Sequence, residues 1–260
     1  MWAHQTVFSA MRSRFRNTPL TTSNRYFKTS LCYACQLWTN DVLCTDCLHA
    51  FSVSSNRCPI CALPVSVQLS GRCDCSDWTC CPTSSYALVN YSYPWNRLIS
   101  QFKYQKRVNL ADFFSRQLMQ DQKIKVVIEQ ADMLCPVPLS KQRIQQRGYN
   151  QSFELAKKLA PNLSRADIIL RTHHVASQAS LNRQQRLKNL SGVFQLDPFK
   201  SHLLRNKKVV LIDDVLTTGA TIQAVCQVLQ NVNVAEVSVV VLARTLSMQQ
   251  ETLWSLCNNK

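Results

Sequence analysis

The chain has 260 residues, 46% of them apolar, and no apolar run near the ~20 residues that a membrane-crossing helix requires. That length holds one good core plus a small appendage. With no crossing run and no apolar secretory h-region, the chain is expected to be cytoplasmic. A net charge of +15 suits polyanions, pyrophosphate or nucleic acid.

Residues 1–31 carry five Lys/Arg and no acid, are rich in Ser, Thr and Asn, and read as a disordered extension. An Arg-rich, acid-free start is also compatible with a transit peptide. Residues 32–83 read as a double zinc-binding module, because ten of the thirteen cysteines fall between Cys32 and Cys81. In a cytosolic chain, repeated CxxC pairs mean metal rather than disulfide. Cys32, Cys35, Cys44 and Cys47 make two CxxC turns that would close one tetrahedral Zn²⁺ site. Cys58 and Cys61 start a second site, completed by Cys73 and Cys75, with Cys80 and Cys81 as alternatives. Large apolar residues are scarce here, so metal must replace a core. A hinge is expected at Pro82–Ser85, leading to a second domain over residues 84–260 that carries +12 from residue 86 on.

In that domain Tyr86–Tyr91 alternates as a strand, and Pro94–Arg107 is a basic, aromatic helix. A helix follows over Ala111–Lys123, then a strand over Asp132–Val137 and a helix over Tyr149–Leu159. Asp167–Leu170 and Gly192–Leu196 are short strands flanking a polar, basic stretch, 171–189, which has the composition of a mobile lid and includes His173 and His174. The last elements are a strand over Val209–Ile212, a helix over 219–230 and a strand over 236–242. Strands alternating with helices predict an α/β domain with a parallel sheet.

The most informative run is Val209–Thr221, VVLIDDVLTTGAT. An apolar strand leads to Asp213 and Asp214, placed at the sheet edge where open α/β folds bind ligands and expected to face solvent. Thr217, Thr218, Gly219, Ala220 and Thr221 then open a helix, where backbone N–H groups, hydroxyls and the helix dipole suit a phosphate. The carboxylates can accept hydrogen bonds from ribose hydroxyls. Phosphate on one side and vicinal hydroxyls on the other describe a ribose 5-phosphate. Lys141 and Arg143, in the loop after an earlier strand, have the charge for a pyrophosphate. In the following RGYNQ run, Gly148 permits a tight turn and Asn150 can cap a helix. Lys103, Lys106, Arg107 and Arg147 are candidates for contacting nucleic-acid phosphates, with Phe102, Tyr104 and Tyr149 available to stack on bases.

Together, the CxxC series, PVPL (136–139), RGYNQ (147–151), Gln178, Leu181, Arg186, Asn189, Phe194, VVLIDDVLTTGAT and Ala243-Arg244 resemble the ComF family, GntX type, over about residues 32–245. The resemblance implies a type I phosphoribosyltransferase fold, a parallel sheet flanked by helices, behind a small zinc module. It implies phosphoribosyl pyrophosphate with Mg²⁺ as ligand, structural Zn²⁺, and a role in natural competence, the cytoplasmic handling of incoming single-stranded DNA. Helicase or recombination proteins of competence are implied as partners. The fourth cysteine pair departs from the family's CxxC, and His173 and Val175 stand where the family often has Arg and Thr. An active phosphoribosyltransferase with an unspecified acceptor and a non-catalytic regulator responsive to phosphoribosyl pyrophosphate remain alternatives.

Overall fold

The structure is a computed structural model and describes residues 30–52, 56–67, 75–76, 78–172 and 192–258. The extension 1–29, Cys73, His173, His174, Gln178, Leu181, Arg186 and Asn189 lie outside the described residues. The chain divides into two compact units, Met1–Phe51 and Ser52–Lys260. Composition alone puts that division at 83/84. The difference arises because Cys58, Cys61, Leu63 and Trp78 join the core of the larger unit.

In the smaller unit β1 (Ser30–Leu31) pairs antiparallel with β2 (Trp38–Thr39), and α1 (Thr45–Phe51) follows. Its buried apolar residues are few: Cys32, Ala34, Leu43 and Cys47.

The larger unit runs β3 (Ser84–Asn90), α2 (Trp95–Tyr104), α3 (Leu110–Gln120), α4 (Gln122–Glu129), β4 (Met133–Pro136), α5 (Lys141–Arg147), α6 (Gln151–Leu159), β5 (Ile169–Arg171), β6 (Phe194–Leu196), β7 (Lys208–Leu216), α7 (Ala220–Leu229), β8 (Glu236–Arg244) and α8 (Met248–Asn258). Four strands form one parallel sheet in the order β3-β8-β7-β4. The two central strands carry the near-continuous aliphatic runs that burial on both faces requires. On α2, Trp95, Leu98, Ile99 and Phe102 recur at helical spacing and are buried against α3, where Trp95 stacks on Phe113 at 5.9 Å and Phe102 meets Phe114 at 5.5 Å.

The structure corrects three expectations. β7 does not stop at Ile212: its ladder with β8 continues through Asp213↔Val241 to Leu216↔Arg244. The segment after β4 is the short helix α5 rather than a loop, with Ser140 accepting from the Arg143 N–H as its N-cap and Gly148 closing it at φ 84°. β5 and β6 form their own antiparallel ribbon outside the parallel sheet.

Candidate functional site

The site forms where β7 ends, between α2, α5, α6 and the start of α7. Asn150 caps α6 by accepting from the Ser152 N–H at 3.0 Å, and its own amide donates to the Val137 carbonyl at 3.1 Å. This fixes the first turn of α6 against the end of β4. Ser152, 1% exposed, then donates its hydroxyl to Asp213 Oδ1 at 3.0 Å, and the Asp214 N–H donates to the same oxygen at 2.9 Å.

Asp214 was expected to face solvent and does not. Its side chain is 10% exposed; Lys103 Nζ lies 2.8 Å from Oδ1 and Arg147 Nη1 lies 4.0 Å from Oδ2. Arg147 is itself buried, donates to Gln151 Oε1 at 2.9 Å, and lies 5.0 Å over the Tyr104 ring. Lys103 and Arg147 are therefore counter-ions of the acidic pair, a role that sequence reasoning missed. A lysine on the polar flank of an aromatic helix gives no hint of a partner more than a hundred residues away. Tyr149 donates its hydroxyl to the Phe102 carbonyl, and Phe102 is fully buried, so Phe102 packs in the core and cannot stack on a base.

Burial, followed by the Asp214 charge, pushes the Asp213 carboxyl up to about 7. Burial pulls the Lys103 ammonium down, but Asp214 outweighs it and the net shift is upward. An unfolded Asp titrates near 3.9, so between about pH 4 and pH 7 the folded chain holds the extra proton. Stability contributed by protonated Asp213 is present below that window and is lost as pH rises through it. Wild-type stability is expected to fall by on the order of 2 kcal/mol between pH 5 and pH 8, and Asp213→Asn should flatten that fall. Urea denaturation at the two pH values measures both; a parallel decline in the variant would assign the effect elsewhere.

Beyond the acids, the chain turns at Thr217 and Thr218 into Gly219, which caps α7 at φ 77°. The first-turn N–H groups of a helix lack intrahelical acceptors, which makes this end of α7 suited to an anion. Thr217 is exposed, Thr218 and Thr221 are half-buried, and Gly219 and Ala220 are buried. Arg143, half-buried on α5, and Arg171, at the end of β5, are close enough to influence each other. Burial first, then the Arg143 charge, holds the Arg171 guanidinium below its usual range, while Asp213 partly offsets both. Arg171 Nε is buried with no hydrogen-bond partner among the described residues. An under-hydrogen-bonded guanidinium with a second cation near enough to shift it is suited to an anionic ligand. Arg171 is thus a second residue that sequence reasoning missed; it is the first residue of the basic stretch read there as a lid. Lys141, on the first turn of α5, is exposed.

The cysteines form two groups. The sulfurs of Cys32, Cys35, Cys44 and Cys47 all lie within 4.8 Å of one another, as do those of Cys58, Cys61 and Cys75. Cys35–Cys44 and Cys58–Cys75 separations are both 3.7 Å. Zn–S bonds of about 2.3 Å in a tetrahedron put sulfurs roughly 3.8 Å apart, so both groups fit Zn²⁺. A disulfide would need about 2.05 Å. Cys80 and Cys81 turn toward other partners, Gln230 Oε1 and the Trp78 carbonyl.

Residues 147–253 match the family described as phosphoribosyl transferase domain. The chain is 30% identical over 233 residues to the DNA utilization protein YhgH of Escherichia coli, covering 83% of this chain and 97% of that one. It is 32% identical over 163 residues to competence protein F of Haemophilus influenzae, covering 60% and 70% of the two chains. It is 30% identical over 212 residues to competence protein ComFC of Streptococcus pneumoniae, covering 78% and 87%.

The chain belongs to the ComF family. It is a competence-related, phosphoribosyltransferase-like protein whose parallel sheet is flanked by helices, with cysteine groups toward its N-terminus that can bind zinc. Among the described residues no helix is long and apolar enough to cross a membrane.

Proposed function

We propose that this ComF-family chain binds phosphoribosyl pyrophosphate with Mg²⁺ at the end of β7 and handles single-stranded DNA on the adjoining basic surface, in the cytoplasm. One arrangement supports the first part: Asp213 and Asp214, near the end of β7, lie a few residues before the N-terminal turn of α7, and the charges of Arg143 and Asp213 both reach Arg171. The turn 217–221 takes the 5-phosphate through N–H groups and threonine hydroxyls. Arg143, Arg171 and the nearby Lys141 neutralise the pyrophosphate. Mg²⁺ enters with the ligand and shares that charge.

The ribose hydroxyls fall chiefly to Asp213. Lys103 and Arg147 already flank both oxygens of Asp214, whereas Asp213 Oδ2 has no hydrogen-bond partner among the described residues. A charge-assisted hydrogen bond contributes about 1.5–3 kcal/mol. Asp213→Asn is therefore expected to weaken phosphoribosyl pyrophosphate binding about tenfold or more while the fold persists. Because Asp213 ionises near 7, wild-type affinity should rise from pH 6 to pH 8 and the variant's should not. Equal affinities for the two proteins at pH 8, measured by calorimetry, would reject Asp213 as the ribose acceptor.

The DNA half rests on the relatives named for competence and DNA utilization, on the +15 charge, and on the turn after α2. There Lys106 is exposed, Arg107 is half-buried, and the Tyr104 ring is 66% exposed with the site's Arg147 stacked on it. Tyr104 thus joins a base-stacking surface to the ribose site. Binding of an oligonucleotide should weaken steeply with salt, since each neutralised phosphate on a single strand contributes about −0.7 to the slope of log K against log salt. Replacing Lys106 and Arg107 by Ala should flatten that slope by about 1.4, and Tyr104→Ala should weaken binding without changing it. An unaltered slope in the double variant would move the strand to another face.

A further inference from the structure

The phosphate turn does not stand alone: two side chains fasten it to the second cysteine group. The first is Trp78, 7% exposed, which lies between Cys75 and Cys80. Its indole covers Gly219 so closely that a Cβ added there would lie 2.0 Å from Cζ2 and 2.4 Å from Cη2. The next residue, Thr79, donates its N–H to Gln223 Oε1 on α7 at 3.3 Å, and Cys80 Sγ reaches Gln230 Oε1 at 3.5 Å. The cysteine segment therefore lies along α7 from its first turn to its end.

The second side chain is Arg244, 2% exposed at the end of β8. Its Nε donates to the Cys61 carbonyl at 2.8 Å, and its Nη1 donates to the Thr217 carbonyl at 2.7 Å and the Leu216 carbonyl at 3.3 Å. One rigid, planar guanidinium thus bridges a cysteine of the second group and the first residue of the phosphate turn.

We propose that Trp78 and Arg244 are positioning residues that hold the turn 217–221 in its phosphate-ready shape, so that the metal state of Cys58, Cys61 and Cys75 sets how well the turn holds a phosphate. The proposal rests on the phosphoribosyl reading above. A metal at these thiolates fixes the Cys61 carbonyl and the segment after Cys75; Arg244 and Trp78 pass that order to Thr217 and Gly219. Loss of the metal frees both anchors, and the turn loses the preorganisation that lets its N–H groups converge on one anion.

Amide hydrogen exchange across residues 216–222 reads this tie without a ligand. In the zinc-loaded full chain, Trp78→Leu and Arg244→Gln are expected to speed exchange there at least tenfold. Trp78→Phe, which restores an aromatic cover, should return it to near the wild-type rate. Cys75→Ser should speed the same amides, and Cys35→Ser, in the other cysteine group, should not. Should Cys75→Ser open the whole sheet, visible as fast exchange in β8, Trp78→Leu decides, because it leaves every thiol in place. Unchanged exchange at 216–222 in Trp78→Leu overturns the proposal, as does equal acceleration by Trp78→Phe. Ribose 5-phosphate titrations of the same proteins separate the two readings. A turn that responds as expected in a chain that binds no ribose 5-phosphate keeps the tie and removes the phosphoribosyl reading. Tight binding with an unresponsive turn does the reverse.

Discussion

Freshly purified protein is expected to carry two Zn²⁺ per chain, and Cys47→Ser should carry one. Among its described residues the smaller unit has little else to hold it. There the strands are two residues long, the helix spans seven, and the buried apolar side chains are Leu43, Ala34, Cys32 and Cys47. A structural Zn²⁺ in such a setting contributes about 10–16 kcal/mol of apparent binding energy, far more than this core can supply. Replacing Cys47 should therefore open residues 30–51 to protease while the larger unit stays resistant. Full zinc content in Cys47→Ser, or a protease-resistant module without metal, would show that another interaction holds it.

The second large effect is expected at Asp214. Its side chain is an almost buried carboxylate between Lys103 and Arg147. Removing one partner of a buried ion pair leaves the others charged and unpaired, which costs roughly 3–5 kcal/mol. Asp214→Asn should lower the unfolding midpoint by about 6–20 °C for a unit of this size. Adding Lys103→Met should recover part of the loss, because it removes one of the orphaned charges. A single-variant loss below about 1 kcal/mol in denaturant titration would mean that solvent reaches the pair freely. The same geometry makes Asp213, and not the Asp213/Asp214 pair, the sound probe of ligand binding: a double substitution would confuse lost affinity with lost fold.

The sequence carries the cysteine groups and the Thr-Thr-Gly turn that opens α7 because both depend on residues adjacent in the chain. CxxC spacing brings two thiols together locally, and Thr-Thr-Gly before an apolar helix specifies a helix entry locally. What stayed hidden depends on partners brought together only by the fold. Asp213 and Asp214 read as a strand end because two adjacent charges rarely continue a ladder; pairing with β8 and the ammonium of Lys103 outweigh that preference. α5 escaped notice because KQRIQQR has a single apolar residue, Ile144, and that one is exposed. Phe102 was legible: Trp95, Leu98, Ile99 and Phe102 are spaced as one buried helix face. That spacing outranks the basic residues around it as evidence. Arg171 and Arg244, the most consequential additions, lie at the ends of strands, where only the three-dimensional arrangement shows what they face.

The end of β7 and the start of α7 are proposed to hold a ribose 5-phosphate unit. The most direct measurement is a calorimetric titration of the zinc-loaded full chain at pH 8, first with ribose 5-phosphate and then with phosphoribosyl pyrophosphate and Mg²⁺. One ribose 5-phosphate site per chain is expected, displaced by the tighter pyrophosphate ligand. No heat from either ligand at millimolar concentration, or two sites that fill independently, would contradict it.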